Sequence, residues 1–164
     1  MSGKNDQSFA AIIRTPLPIQ LNHLAIRVNN DQLQEIIFIS GKSPLKTATD
    51  PFAKQVVEQL RCYFSDPTFE FDLSLAPDGT DFQKRVWRRL RTCPSGKVLS
   101  YGELAQALKS GARAVGGACR RNPVPVVVPC HRVVAKQGIG GYAGKTSGNY
   151  LSIKQWLLHH ESAM

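Results

Sequence analysis

The residue best suited to chemistry is Cys130, near the end of the stretch NPVPVVVPCHRVV, residues 122–134. A thiol attacks as its thiolate, and a neighbouring base or cation helps to form that anion. His131 and Arg132 follow the cysteine directly and supply one of each. Because adjacent side chains do not face each other on a helix, we expect His131 to act on the thiol through a water molecule or from an extended local backbone. The stretch therefore predicts a cysteine nucleophile with a histidine base.

The segment before this cysteine predicts a rigid support for the thiol. Prolines stand at positions 123, 125 and 129, with valines between them. Proline fixes its own φ and pushes the preceding residue toward extended conformations. We therefore expect a buried, extended apolar strand that holds Cys130 still.

A purely structural role for Cys130 stays open, because free cysteine is among the most buried residue types. We assign that role to Cys62, Cys93 and Cys119, since none of them has a neighbouring histidine. The four cysteines contain no C-x-x-C pair, which argues against a disulfide framework and a zinc ribbon. We expect reduced thiols and no metal site.

The chain also carries no signal that predicts export or membrane insertion. The first residues, MSGKNDQSFA, lack the basic and then apolar pattern of a signal peptide. No apolar run is long enough to span a bilayer. We expect a soluble cytoplasmic protein, associated with the nucleoid if the source is prokaryotic.

The positive charge is confined to the second half of the chain. Of the net charge of +9, residues 1–79 hold 7 basic against 9 acidic residues, and residues 80–164 hold 14 against 3. Such an asymmetry is typical of a module that neutralises nucleic-acid phosphates, although a solvated basic surface gives the same pattern. At 164 residues the chain fits one large domain or two small ones.

The first half predicts a small sheet and one helix. LNHLAIRV (21–28) and QLQEIIFIS (32–40) read as a β-hairpin, and AAIIRT (10–15) as a third strand. Residues 50–64 have apolar side chains at helical spacing after a proline in the first turn. Residues 65–79 lack strong periodicity, so we predict one domain over residues 1–78 and a second over 79–164.

The second half predicts helices. TDFQ (80–83) and SYGE (100–103) are capping-box patterns that each precede an apolar periodic stretch. The short turn KSG (109–111) leads into ARAVGGACRR (112–121). Two short helices around such a turn predict a helix-turn-helix. The small side chains of the second helix allow either a neighbouring helix or a nucleic-acid backbone to approach closely.

Several of these stretches together resemble one protein family. RAVGGACRRNPVPVVVPCHRVV (113–134), with SYGELA before it and GGYAG and IKQWLLHHE after it, is similar to the O6-alkylguanine-DNA alkyltransferases, also called methylated-DNA-protein-cysteine S-methyltransferases. The resemblance implies an α+β fold with a small N-terminal ribonuclease-H-like domain of sheet plus helix. It also implies a mostly helical C-terminal domain with a winged helix-turn-helix.

The resemblance implies roles for four residues at the thiol. Cys130 would accept the alkyl group from guanine O6 in a single in-line displacement that consumes the protein. His131 would take the thiol proton through a water, and Glu161 would orient its imidazole. Asn122 would link the helix-turn-helix to the active-site turn by hydrogen bonds.

The resemblance also implies a DNA contact made in the minor groove, where sequence information is degenerate. Tyr101 would lie by the target phosphate and favour rotation of the nucleotide, while Arg113 would fill the gap left in the base stack. The other residues expected at DNA are Ala112, Ala114, Gly116, Gly117 and Arg120.

The expected substrate pocket is lined by Tyr142, Ala143, Val133 and Pro125. Ala143 stands where relatives often carry serine, so a contact to the lesion there would come from the backbone amide. The segment 144–150 is longer than in compact relatives, which bears on the pocket wall. The expected partner is double-stranded DNA with O6-alkylguanine, and O4-alkylthymine is a further candidate. The resemblance implies a monomer without a cofactor.

Two other classes of function remain open from the sequence. The chain could recognise alkylated DNA without reacting, although retention of Cys130 argues against this. It could instead be a cysteine hydrolase or peptidase that uses Cys130 and His131.

The inserted arginine gives a first test. We expect Arg113→Ala to slow alkyl transfer from duplex DNA more than transfer from a free alkylguanine base, because only the duplex has a gap to fill. Single-turnover transfer rates on the two substrates measure the difference. Equal losses on both substrates would contradict the stacking role.

Overall fold

The computed structural model describes residues 9–145 and 148–163. The chain divides into two compact units, Met1–Asp78 and Gly79–Met164. Residues 1–8, which carry most of the polar N-terminal sequence, lie outside the described residues, as do residues 146 and 147 of the long segment 144–150. Within the described part, five α-helices and two small sheets confirm the predicted mixture of helix and strand.

The first unit contains the predicted three-stranded antiparallel sheet. Its strands are β1 (Ala11–Arg14), β2 (His23–Asn29) and β3 (Gln32–Ile39), in the order β1-β2-β3. Asn30 and Asp31 join β2 to β3 with φ of 51° and 57°. Two successive positive φ values suit the right-handed twist of a tight hairpin, and asparagine and aspartate tolerate them.

Helix α1 (Pro51–Ser65) follows the sheet and packs against β1 and β2. The carboxylate of Asp50 accepts a hydrogen bond from the amide of Ala53 at 2.9 Å, which caps the helix. The buried face of α1 comprises Ala53, Val56, Val57, Leu60 and Tyr63. This face supplies much of the core of the first unit.

The second unit begins with helix α2 (Asp81–Leu90), whose predicted capping box is present. The Thr80 hydroxyl accepts from the Gln83 amide at 3.1 Å, and the Gln83 side chain accepts from the Thr80 amide at 3.0 Å. On the buried face, the Trp87 indole donates to the carbonyl of Ala118 at 2.9 Å. This bond fixes α2 to a later helix, α4 (Ala112–Arg120).

Helices α3 (Tyr101–Ala107) and α4 (Ala112–Arg120) follow a two-residue strand, β4 (Leu99–Ser100). The second predicted capping box, Ser100 with Glu103, is also present. The two helices pack on each other across a short turn that includes Lys109, which has a φ of 54°. One side of α4 is buried through Val115, Ala118 and Cys119, and the opposite side faces solvent.

The proline-rich stretch is a compact turn, and the expected extended strand is wrong. The Val128 amide donates to the carbonyl of Val124 at 2.9 Å, and Val126 has a φ of 74°. A positive φ is costly for a β-branched residue, so the surrounding contacts must hold it. The prolines keep the turn rigid as predicted, but hydrogen bonds bend it back on itself. All of Val124, Val126, Val127 and Val128 are buried.

The chain leaves this turn through a single 3₁₀ turn, Cys130–Arg132, and enters strand β5 (Val133–Val134). Strand β5 pairs in parallel with β4. The last element is α5 (Asn149–His160), which contacts the 3₁₀ turn. Among the helices of residues 9–145 and 148–163, none is long and apolar enough to cross a membrane.

The cap of α2 yields a stability prediction. Thr80→Ala removes the hydroxyl that satisfies the Gln83 amide, so we expect the free energy of unfolding to fall by about 1 kcal/mol. Urea denaturation followed by tryptophan fluorescence measures it. The control is Thr49→Ala in an exposed loop, with an expected change within about 0.5 kcal/mol. A Thr80 variant no less stable than this control would contradict the capping role.

Candidate active site

Cys130 lies at the start of the 3₁₀ turn and is 6% exposed. The side-chain amide of Asn122 donates to the Cys130 sulfur at 3.1 Å and to the carbonyl of Val128 at 2.8 Å. Its oxygen accepts from the amide of Val124 at 3.0 Å. Asn122 follows α4 by two residues, so this one side chain joins the end of α4 to the thiol and to the turn closed by Val124 and Val128, which we call the valine turn.

The surroundings of the thiol act on its pKa in opposite directions. Burial raises the pKa of Cys130, because the thiolate is poorly solvated in the interior. The hydrogen bond from Asn122, the ammonium of Lys154 and the side chain of Tyr142 each lower it. Burial outweighs them, so the resting residue is a thiol that needs a base before it can attack.

His131, the base predicted from the sequence, forms a buried pair with Glu161. Its Nε2 lies 2.8 Å from Oε2 of Glu161, and both side chains are fully buried. Burial lowers the pKa of His131 more than Glu161 raises it, so the imidazole is neutral at pH 7. An ionised carboxylate can only accept, which places the imidazole proton on Nε2 and leaves Nδ1 as the proton acceptor. Among the described residues, Nδ1 has no hydrogen-bond partner.

Arg132 completes this buried group, a role that the sequence analysis missed. Its guanidinium donates two hydrogen bonds of 2.9 Å, one to each carboxylate oxygen of Glu161, and a further one to the carbonyl of Cys93. Burial alone would raise the pKa of Glu161, but the hydrogen bonds from His131 and Arg132 hold it well below its usual range. The carboxylate therefore stays ionised and stabilises the fold above about pH 4.3, its unfolded pKa, and this contribution is lost on acidification.

Lys154 of α5 is a second missed residue. It is fully buried, and its ammonium donates to the carbonyls of Val133 at 2.7 Å, Gly141 at 2.8 Å and Ile139. Burial lowers the pKa of Lys154 to about 8, and the nearby thiols oppose that shift. A sequence signal did exist, because Lys154 and Glu161 lie two helical turns apart and thus on the same side of the chain.

A cavity of about 320 Å³ opens over the thiol. Eight of the predicted site residues line it, namely Tyr101, Arg113, Gly116, Gly117, Arg120, Cys130, Tyr142 and Ala143. The remaining lining residues are Cys119, Gly141 and Gly144. The cavity thus brings the exposed side of α4, the thiol and the segment 141–144 to one place.

The cavity wall beyond the thiol is a tight turn. The amide of Tyr142 donates to the carbonyl of Lys145 at 2.8 Å, and the reverse bond measures 2.9 Å. Ala143 and Gly144 have φ of 52° and 79°. A Cβ added at Gly144 would lie 2.6 Å from a side-chain carbon of Arg120, so glycine there lets the turn approach α4. The backbone of this turn therefore forms one side of the cavity.

Other predicted residues lie away from the cavity. Val133 and Pro125 are not among the described residues that line it, because β5 is fully buried at Val133 and Pro125 belongs to the valine turn. Ala112 and Ala114 are exposed on α4. Cys119, expected to be structural, lines the cavity together with Cys130, and burial raises its pKa to about 12.

Comparison with known proteins places this site in a class. Residues 81–163 match the family described as the DNA-binding domain of 6-O-methylguanine DNA methyltransferase. A methylated-DNA–protein-cysteine methyltransferase from Methanosarcina barkeri is 40% identical over 81% of this chain and 86% of its own. One from Methanosarcina acetivorans is 35% identical over 94% and 99%.

The structural comparison agrees. The crystal structure of Mycobacterium tuberculosis OGT in complex with DNA superposes with a TM-score of 0.73 and 35% sequence identity, covering 93% of this chain and 91% of that one. The chain belongs to the methylated-DNA–protein-cysteine methyltransferase family. The resemblance noted in the sequence is confirmed.

The buried lysine yields a testable prediction for the reactivity of the thiol. We expect Lys154→Met to shift the reaction of Cys130 with iodoacetamide to higher pH, because the variant lacks the ammonium that lowers the thiol pKa. In the wild type, Lys154 itself deprotonates above about pH 8, so its lowering effect on the pKa of Cys130 should fade there. Peptide mapping across a pH series measures the profile.

Lys136→Met, at an exposed lysine of the same unit, is the matched control and should leave the profile unchanged. Lys154→Arg retains the positive charge, so its pH profile should lie between those of the wild type and Lys154→Met. An unchanged profile in folded Lys154→Met protein would show that the ammonium does not act on the thiol.

Proposed function

We propose that this chain repairs DNA by moving an alkyl group from O6 of guanine onto the sulfur of Cys130. The observation that carries the proposal is the buried thiol at the base of a cavity lined by α4, with a neutral histidine and an ionised glutamate behind it. Family membership supports the same reaction.

The chemistry needs no co-reactant. The sulfur of Cys130 forms a bond to the alkyl carbon while the bond from that carbon to O6 breaks, and the electron pair stays on the guanine. The thiol proton passes through a water to Nδ1 of His131, and the guanine regains its ring proton from solvent. The net change is one thioether and one repaired base. A thioether has no ready leaving group, so each molecule acts once.

The roles behind the thiol divide among three side chains. Glu161 fixes the proton of His131 on Nε2, so that the ring presents an acceptor at Nδ1. Asn122 donates to the sulfur and stabilises the thiolate as it forms. We infer that Arg132 and Lys154 are positioning residues. Arg132 acts through Glu161, and Lys154 acts through the backbone carbonyls that it binds.

The exposed side of α4 is the proposed DNA contact. Ala112, Ala114, Gly116 and Gly117 present little side chain there, which lets a minor-groove backbone approach closely. Arg113 and Arg120 add positive charge at the cavity mouth. We propose that guanine rotates out of the duplex into the cavity, with Tyr101 by the target phosphate and Arg113 in the vacated stack.

The proposal also covers the type of fold of each unit and the oligomeric state. We infer a winged helix-turn-helix from α3, its turn and α4, with β4 and β5 as a minimal wing. We infer a ribonuclease-H-like arrangement for the first unit from its hairpin, third strand and helix. Because Cys130, His131 and Glu161 lie in one unit of one chain, we propose that a monomer acts on DNA, in the cytoplasm.

A non-reacting lesion-recognition protein is the second candidate. The raised pKa of Cys130 favours it, since a protonated thiol attacks poorly. The neutral His131, whose Nδ1 has no hydrogen-bond partner among the described residues, favours transfer, because it can accept the thiol proton. A cysteine hydrolase would form a thioester on Cys130 that water cleaves, so it would turn over, whereas alkyl transfer leaves a stable thioether.

The test is the intact mass of the protein after incubation with a duplex that contains one O6-methylguanine. We expect one added methyl group per chain, mapped by peptide analysis to Cys130, because that thiol lies at the base of the cavity. Cys130→Ala should bind the lesion and gain no mass.

Cys119→Ser is the matched control, because Cys119 lines the same cavity, and it should still accept one methyl group. Binding of the lesion by the wild type without any gain in mass would support the recognition protein instead.

A further inference from the structure

The first unit contains a groove that the alkyl-transfer site does not use. Its volume is about 440 Å³, and it lies between β1, residues 45–48 and one side of α1. Its floor is aliphatic, formed by Ile12, Ile13 and Val57, all of which are buried. Leu45 stands at its rim with 56% of its surface exposed, which is unusual for a large apolar side chain in this protein.

Four cations surround this floor, and we call the site the basic groove. They are Arg14, Lys46, Lys54 and Arg61. The unit holds only 7 basic residues against 9 acidic ones, so more than half of its positive charge lines one groove. A merely solvated surface would distribute these charges among the carboxylates.

Three of the four cations have free charged groups. Arg14, Lys54 and Arg61 are exposed, and within the described residues they form no ion pair. Lys46 is the exception, because its ammonium donates to the carbonyl of Phe9 at 2.6 Å. The obvious partner of Lys54, Asp50 one turn earlier, is engaged in capping α1. The groove therefore presents a net positive field to a ligand.

One acidic residue, Glu58, also lines the groove. It lies between Lys54 and Arg61 on the same side of α1, and it reduces the local charge from +4 to +3. The excess remains large enough to select an anionic ligand.

We propose that the basic groove binds the phosphate backbone of DNA, as a contact separate from the α4 surface. This inference rests on the proposed function, in which DNA is the substrate. Lys54 and Arg61 are seven residues apart, which is about 10 Å along the helix. At that separation the two cations can each contact a different phosphate of one strand.

The lining also defines what kind of DNA contact this is. Among the described residues that line the groove, none is aromatic, so it offers no surface on which a base can stack. The cations suit phosphates, and the aliphatic floor suits the sugars between them. The contact is therefore independent of sequence and of the lesion, and it adds affinity for any DNA.

The test uses undamaged duplex DNA and the full chain. Binding affinity is measured between about 50 and 200 mM salt for the wild type and for a double variant, Lys54→Gln with Arg61→Gln. We expect the slope of log affinity against log salt to become shallower by about 2, because two phosphate contacts are lost. Lys42→Gln, at an exposed lysine of the same unit outside the groove, is the matched control and should leave the slope unchanged.

Three results would overturn the inference. The first is a double variant with the wild-type slope and affinity. The second is an equal loss in Lys42→Gln, which would show a general effect of surface charge. The third is unchanged DNA binding with loss of binding to a labelled polyaspartate peptide, which would assign the groove to an acidic protein segment.

Failure of the proposed function would be visible separately. Methyl transfer from a free O6-methylguanine base to Cys130 should proceed at the wild-type rate in the double variant, because both substitutions lie in the other unit. If the wild type transfers no methyl group to Cys130, the proposed reaction itself is wrong. The salt dependence on undamaged DNA is read independently of transfer.

Discussion

The carboxylate of Glu161 is the interaction on which the reactive centre depends. It accepts from His131 through one oxygen and from Arg132 through both, and all three side chains are buried. Removing one partner of such a buried group costs about 3–5 kcal/mol in proteins where it has been measured, because the others keep an uncompensated charge. The same carboxylate also decides which nitrogen of His131 carries the proton. The stability of this buried cluster and the protonation of His131 are thus set by one group, placed where the last helix ends.

The thiol illustrates a conflict between burial and reactivity. Exclusion of water makes the cavity a place where an alkyl group can be held, but it also raises the pKa of Cys130. Asn122 and Lys154 offset part of that cost, and both are held by carbonyls of the segments they connect. A protein that reacts once does not need a fast, fully ionised nucleophile. It needs a thiol that stays intact until a base and a substrate are present.

The limits of sequence reasoning are visible at particular residues. The capping boxes at Thr80 and Ser100 and the hairpin at Asn30 and Asp31 depend on neighbours a few positions away, so the sequence predicted them correctly. The valine turn was predicted as a strand, because the bond that closes it, together with the Asn122 contacts, outweighs the extended preference of residues before proline. The pairing of Arg132 with Glu161 and the burial of Lys154 were missed, because both depend on contacts between residues far apart in sequence.

By itself the sequence predicted a cysteine nucleophile with a neighbouring base, determined the sheet and helix of the first unit and the capped helices of the second, and identified the family. These follow from residue types at short or fixed spacings, where the chain has little freedom. Only the tertiary structure decided which residues share the cavity with Cys130, that Glu161 has two partners, and that four cations meet in one groove of an acidic unit. The physical reason is that contacts between residues far apart in sequence depend on how whole elements pack. A pattern along the chain does not give the distance in space between such residues.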